Sequence, residues 1–87
     1  MLLDQIKAQM FQAMKAGKAV EREILRVAVG EITTDREREG RKGNDDEALA
    51  ILKKIVKSNE ESLAHVEDPA KKAVLLEENA VLAAFLP

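Results

Sequence analysis

Residues 44–69 read NDDEALAILKKIVKSNEESLAHVEDP, and this stretch decides the fold. It opens with Asn44, a residue type that caps the free N–H groups of a helix, and Glu47 follows three residues later as the second half of a capping pair. It closes with Asp68 and Pro69, a second helix start in which proline takes a position where its missing N–H costs nothing. The stretch therefore predicts two helices joined by a turn.

Between these two starts, apolar side chains recur at steps of three and four over about five turns of helix. This seam consists of Leu49, Leu52, Val56, Asn59, Leu63 and Val66. A further apolar set continues the fourth helix to the terminus, namely Leu75, Leu76, Leu82, Phe85 and Leu86. The third and fourth helices would be roughly 30 Å and 25 Å long. With a turn of about two or three residues between them, they must run antiparallel as an arm-like hairpin.

The N-terminal half has the same periodicity in two shorter pieces. A first helix is predicted over residues 2–16 and a second over residues 18–35, and Gly17 between them is a natural stop. The apolar face of the first helix is Leu3, Ile6, Met10 and either Ala13 or Met14. The stripe on the second helix is wide enough to contact more than one neighbour, and it consists of Ile24, Leu25, Ala28, Val29 and Ile32.

Apolar residues are absent between Arg36 and Asp45, where Gly40 and Gly43 interrupt the helical pattern. We interpret this segment as a linker. The predicted organisation is a first hairpin over residues 1–38, a linker over residues 39–44 and a second hairpin over residues 45–87. The predicted fold is therefore a single all-α domain of four helices, arranged as two consecutive hairpins of which the second is long and arm-like.

Composition excludes several classes of site. The chain has no cysteine, which removes disulfides, thiolate nucleophiles and cysteine-based metal sites. No apolar run approaches the roughly 20 residues that a membrane span requires, so we expect a cytoplasmic protein with no membrane partner. The net charge of −2 disfavours a protein whose whole surface is built to hold nucleic acid, although it is compatible with a local basic patch, and we expect no DNA partner. A chain of this size buries only about 60–70% of its unfolded surface, so we expect a protein partner or self-association to supplement a thin core.

No arrangement of residues predicts catalysis, a cofactor or a metal ion. The only histidine, His65, lies near Glu61 and Asp68 at the end of the third helix. One imidazole and two flexible carboxylates make a weak and unspecific metal site. We interpret His65 as a cation or hydrogen-bond donor near a helix C-terminus, where positive charge is favourable.

A basic stripe is predicted on the second helix, where Lys18, Arg22 and Arg26 recur at steps of four and Lys15 extends the stripe around the corner. One interpretation is electrostatic contact with phosphates, without sequence readout. The other, which we favour, is a solvated face laced with salt bridges, because glutamates interleave with the cations and no aromatic side chain is available for base stacking.

Asn59 is the one polar residue in the seam of the third helix. A buried asparagine in a helical seam fixes register or partner orientation at a cost in stability. The alternative is that Asn59 lies at the edge of the seam, in water. If the hairpin pairs with a second copy or a helical partner, the candidate interface residues are Asn59, Leu63, Leu82 and Phe85.

Several short motifs, taken in order and spacing from Leu3 to the end of the chain, resemble those of the YqeY family. They are Ala13-Met14-Lys15-Ala16-Gly17, Leu25-Arg26, Leu52, Lys54, Val56, Lys57, Glu61-Ser62, Glu78, Leu82 and Phe85-Leu86-Pro87. The family is similar to the C-terminal helical region of the B subunit of tRNA-dependent amidotransferases, for which glutamine is the amide donor. The resemblance implies a role in such systems through protein or RNA contacts, with the chemistry residing in other domains. The candidate contacts with RNA or a partner are Lys15, Lys18, Arg22, Arg26, Lys54 and Lys57.

Three departures from the family pattern matter, and an RNA role is weakened twice, in domain content and in charge. Relatives usually continue beyond Pro87 into a second small helical domain, the part expected to touch tRNA, and we expect this protein to lack it. Two arginines common in the family are replaced by Asn59 and Glu60, and Lys18 and Arg22 stand where the family tends to have an acidic and an apolar residue. We therefore predict a small non-catalytic protein that contacts protein or RNA. The alternatives are a purely structural interaction module and, ranked last, an independent amidotransferase-type enzyme.

Overall fold

The computed structural model describes residues 1–87 as four α-helices with no β-strand. The helices are α1 (Leu2–Lys15), α2 (Ala19–Arg36), α3 (Asp45–Leu63) and α4 (Pro69–Ala83). The predicted all-α fold and the order of its helices are confirmed. In the first half of the chain the helix boundaries agree with the predicted ones to within one residue.

The corner between α1 and α2 is built on Gly17, which has a φ of +72°. Its N–H bonds the carbonyl of Met14 at 3.3 Å, and the N–H of Lys18 bonds the carbonyl of Ala13 at 2.9 Å. This pair of bonds closes the end of a helix when the residue after the cap adopts a left-handed conformation, which glycine reaches without steric cost. The predicted stop at Gly17 is confirmed.

Both predicted helix caps in the second half are present. The N–H of Glu47 donates to Asn44 Oδ1 at 3.0 Å, and the N–H of Ala70 donates to Asp68 Oδ1 at 2.9 Å. Pro69 is the first residue of α4, where a missing N–H breaks no helical bond. The caps therefore place the starts of α3 and α4 where the sequence predicts them.

The turn between α3 and α4 is longer than predicted. Because α3 ends at Leu63, Val66 lies outside the helix, and the connection occupies residues 64–68. Asp68 is extended, with a ψ of 119°, as expected for the residue before a proline, so the chain leaves the helical conformation before α4 begins. At the other end, α4 stops at Ala83 instead of continuing to the last residue.

One hydrophobic cluster takes side chains from all four helices. Its buried members are Leu2, Leu3, Ile6, Ile24, Leu25, Ala28, Ile32, Ala48, Leu52, Ile55 and Leu82. Helix α2 is central, because it packs against α1, α3 and α4. Its predicted stripe is confirmed, with Val29 half-buried at the margin. On α1, Ala13 is the residue that faces inward, and Met14 is half exposed.

The buried face of α3 is wider than the predicted seam. Leu52 is fully buried, as the seam requires, but Ala48 and Ile55 are also buried although they lie outside it. Leu49 and Val56 are only half-buried. The reason is that α3 packs against α2 as well as α4, so two adjacent strips of its surface face inward.

The two ends of the molecule differ. At one end, which we call the base, the start of α1, the end of α2 and the start of α3 meet. At the other, the stretch between Ile55 and Leu82 contains no buried residue, and we call residues 56–81 the hairpin tip. The molecule measures 40 × 30 × 22 Å. None of its helices combines the length and the apolar content needed to cross a bilayer.

Candidate interaction surfaces

The base is held by Arg41, which bridges the end of α2 and the start of α3. Its Nε and Nη2 each lie 3.0 Å from Asp35 Oδ2, and its Nε lies 3.3 Å from Glu47 Oε2. Asp35 is 8% exposed and is the only buried charged residue in the chain. A buried carboxylate without a cation would be strongly destabilising, and Arg41 avoids this cost by pairing with Asp35.

The other oxygen of Glu47 shapes the linker. Glu47 Oε1 accepts the backbone N–H groups of Lys42 at 2.9 Å and Gly43 at 2.6 Å. Gly43 has a φ of +65°, and a Cβ added there would lie 3.3 Å from Arg36 Cβ. Glu47, the expected capping partner of Asn44, is therefore present. Its side chain accepts from the amides of Lys42 and Gly43 instead of that of Asn44, and it orders the segment that the sequence marks as a linker.

A third contact at the base joins residues far apart in the chain. The N–H of Leu2 donates to Asp45 Oδ1 at 3.0 Å, so the first residue of α3 satisfies a free donor at the start of α1. A small, partly open cavity beside these groups measures about 10 Å³, roughly the room needed by one water molecule. The polar groups of the base therefore stabilise the fold, and the cavity is too small to hold a substrate.

The candidate basic residues are spread over several elements. On α2, Arg22 and Arg26 both contact Glu23, at 3.1 Å and 3.5 Å. The remaining four are exposed and take part in no ion pair, namely Lys15, Lys18, Lys54 and Lys57. Lys54 borders a polar groove between α2 and α3, opposite Glu31.

The candidate interface residues fall into three environments. Asn59 is half-buried, and its Nδ2 donates to Glu78 Oε1 at 3.1 Å and to Asn79 Oδ1 at 2.9 Å. These bonds join α3 to α4 within one chain. Leu82 is fully buried in the core, Phe85 packs against that core, and Leu63 is half-buried in the tip.

The hairpin tip carries an open groove between α3 and α4, which we call the tip groove. Its volume is about 440 Å³, and it is lined by Ser62, Val66, Ala70, Lys71, Val74, Leu75 and Glu78. Val74 is 40% exposed although it is a large aliphatic side chain. The sequence did not single out this groove, because Val66 appeared as the last residue of the third-helix seam and Leu75 as part of the separate apolar set of the fourth helix.

Two apolar side chains on α1 lie outside the core. Phe11 and Met14 are each 51% exposed, and their spacing of three places them on one side of the helix.

His65, Glu61 and Asp68 are all exposed. No group of three or more His, Asp or Glu side chains is arranged to hold a metal ion.

Comparison with known proteins gives one result. Residues 3–87 match the family described as Yqey-like protein. The chain belongs to the YqeY family. The match covers the base, the core and the hairpin tip, so the whole architecture described above is that of a YqeY family member. No curated protein and no solved structure shows significant similarity to the chain.

Proposed function

We propose that this YqeY family member is a non-catalytic helical module that works in tRNA-dependent amidotransferase systems by binding a protein partner through its hairpin tip. Family membership supports the biological setting, because the family resembles the helical region of the amidotransferase B subunit. The observation that carries the proposal is the tip groove, an open apolar groove on a segment that contains no buried residue.

The ionisable groups with defined partners support a binding role. The one buried carboxylate, Asp35, is neutralised by Arg41, and Glu47 is occupied by Arg41 and two backbone amides. General acid–base catalysis requires a proton-transferring group that faces a substrate in a partly desolvated pocket. Asp35, Arg41 and Glu47 contact one another across the linker, so their charges stabilise the fold.

The tip has the properties of a surface that is completed by a partner. Apolar residues such as Val66 and Val74 line an open groove there, while the core of the molecule is formed elsewhere. A contiguous exposed apolar patch rimmed by polar residues is typical of a protein interaction site. Burial of that surface would stabilise the long hairpin beyond its own thin packing.

The test is binding of the purified chain to a purified tRNA-dependent amidotransferase complex, followed by light scattering coupled to size exclusion. We expect a complex of defined stoichiometry with the wild type and loss of that complex with Val74→Asp. The matched control is Met14→Asp, which adds the same charge at an exposed apolar position on α1. Equal binding of Val74→Asp and the wild type, or no binding by either, would overturn the proposal. The same experiment reports self-association as a mass above that of the monomer.

A second candidate function is RNA binding, favoured by four exposed lysines that have no acidic partner: Lys15, Lys18, Lys54 and Lys57. Lysines of this kind contact phosphates, and such binding weakens steeply as salt displaces it. Titration of tRNA at low and at physiological ionic strength tests this function. Salt-sensitive binding that is lost in the fourfold Lys→Ala variant supports it, and the absence of binding at low salt removes it.

A further inference from the structure

The hairpin tip differs from the rest of the molecule in its charge. Residues 56–81 contain six carboxylates, Glu60, Glu61, Glu67, Asp68, Glu77 and Glu78, against three lysines. Their formal charge is therefore −3, and since the whole chain has −2, the remainder carries +1. Every ion pair of the structure lies within residues 1–47. The tip thus presents an excess of negative charge with no ion pair to neutralise it.

The tip groove lies within this acidic segment. Ala70 and Val74 stand one helical turn apart on α4 and line the groove together with Val66 from the turn. Glu78 and Lys71 line the same groove, and Glu77 follows Val74 by three residues, so it lies on the same side of α4. The groove therefore has an apolar floor, and two carboxylates and one ammonium group lie along its α4 border.

The shape of the groove suits a helix. It lies between α3 and α4, and a third helix packs into such a groove through its own side-chain ridges. Two small residues in its lining, Ser62 and Ala70, leave room for the close approach of another backbone. A nucleic acid is a poor occupant, because its phosphates would face a segment in which six carboxylates outnumber three lysines.

We propose that the tip groove binds a cationic amphipathic helix of a partner protein. The apolar face of that helix would cover Val66 and Val74, and its Lys and Arg side chains would approach Glu77 and Glu78. This inference rests on the proposed function and adds the chemical class of the partner segment. Charge complementarity selects the occupant, since an anionic helix with the same apolar face would be repelled by the formal charge of −3 on the tip.

The probe is a synthetic amphipathic peptide of about 18 residues, long enough for a stable helix on binding, with a Leu/Ala face and a Lys face. A matched peptide carries Glu in place of every Lys. Fluorescence anisotropy with the full chain measures both. We expect the Lys peptide to bind at least tenfold more tightly than the Glu peptide, and more weakly as salt is raised. Equal affinity of the two peptides would overturn the proposal.

Two variants separate groove binding from general attraction between opposite charges. Val74→Asp adds negative charge while it destroys the apolar floor, so binding at the groove should weaken at least tenfold, whereas purely electrostatic attraction would strengthen. Glu77→Lys should weaken binding of the Lys peptide and strengthen binding of the Glu peptide. Met14→Asp is the control. Because Met14 lies outside the groove, this variant should bind the Lys peptide with an affinity within about twofold of the wild type. Strengthened binding by Val74→Asp overturns the proposal.

The outcomes also distinguish this inference from the proposed function. If the amidotransferase complex binds the wild type but not Val74→Asp, and the Lys peptide does not bind, the groove is the interface and the cationic helix is the wrong occupant. If the wild type forms a dimer that Val74→Asp dissociates, the occupant is a second copy of this chain, and the inference is again overturned. If the Lys peptide binds at the groove but the complex does not, the inference stands and the proposed setting fails.

Discussion

The base and the hairpin tip are built from similar helices but are held together by different forces. At the base, Arg41 joins Asp35 to Glu47, and Asp45 caps the start of α1. At the tip, the side-chain hydrogen bonds that join α3 to α4 are the two made by Asn59. The core adjoins the base and stops at Ile55 and Leu82. The buried apolar contacts and the ion-pair bridge are therefore concentrated at one end, which leaves the other end free to present a surface.

The largest expected loss of stability comes from truncating a buried side chain in the core beside the base. Leu52 is fully buried, and Leu52→Ala should reduce the free energy of unfolding by about 2–5 kcal/mol. Leu63→Ala, on the half-buried face of the same helix in the tip, should reduce it by about 1 kcal/mol. Chemical denaturation followed by circular dichroism measures both. Equal losses at the two positions would mean that the tip is as firmly packed as the base.

A smaller effect is expected from removing the bridge at the base. Arg41→Met keeps the aliphatic stem but leaves Asp35 with only Arg38, whose Nη1 lies 3.9 Å away. The loss of charged hydrogen bonds at a nearly buried carboxylate should cost about 1–2 kcal/mol. Hydrogen exchange in residues 37–47 should rise. The control, Arg38→Met, removes a more exposed and longer contact and should cost less than about 0.5 kcal/mol. Indistinguishable variants would show that the bridge is not what orders the linker.

Alanine substitutions at two glycines should change the free energy of unfolding in opposite directions. Gly43 at the base has a φ of +65° and sits against Arg36, so Gly43→Ala should destabilise by about 1 kcal/mol through backbone strain. Gly30 lies inside α2, and a Cβ there meets nothing within 4 Å, so Gly30→Ala should stabilise by about 0.5–1 kcal/mol. Thermal melts of the two variants should therefore shift in opposite directions. A stabilising Gly43→Ala would contradict the strained turn.

The sequence predicted the fold well because each signal was local. Periodicity gave the four helices, and Gly17, Asn44 and Asp68 marked ends that the structure confirms. The polar contacts at the base were missed because they depend on tertiary placement. Nothing in a pattern of helix starts indicates that Asp45 would cap a helix that begins 43 residues earlier. The tip groove was missed for a related reason, since the early end of α3 turned part of a predicted seam into an open surface.

The smallest expected energy is the coupling between Asn59 and Asn79, which join α3 to α4 in the tip. Asn59→Ala removes hydrogen bonds to Glu78 and Asn79 that are only half-buried, so it should cost about 1 kcal/mol. A double-mutant cycle with Asn79→Ala isolates the bond between them and should give a coupling energy of about 0.5 kcal/mol. Because Asn59 lies between the core and the tip groove, hydrogen exchange should increase beyond it, in residues 60–77, and stay unchanged at the base. Zero coupling with unchanged exchange would mean that the tip keeps its shape without this contact, and the groove would then be more rigid than the difference between the two ends implies.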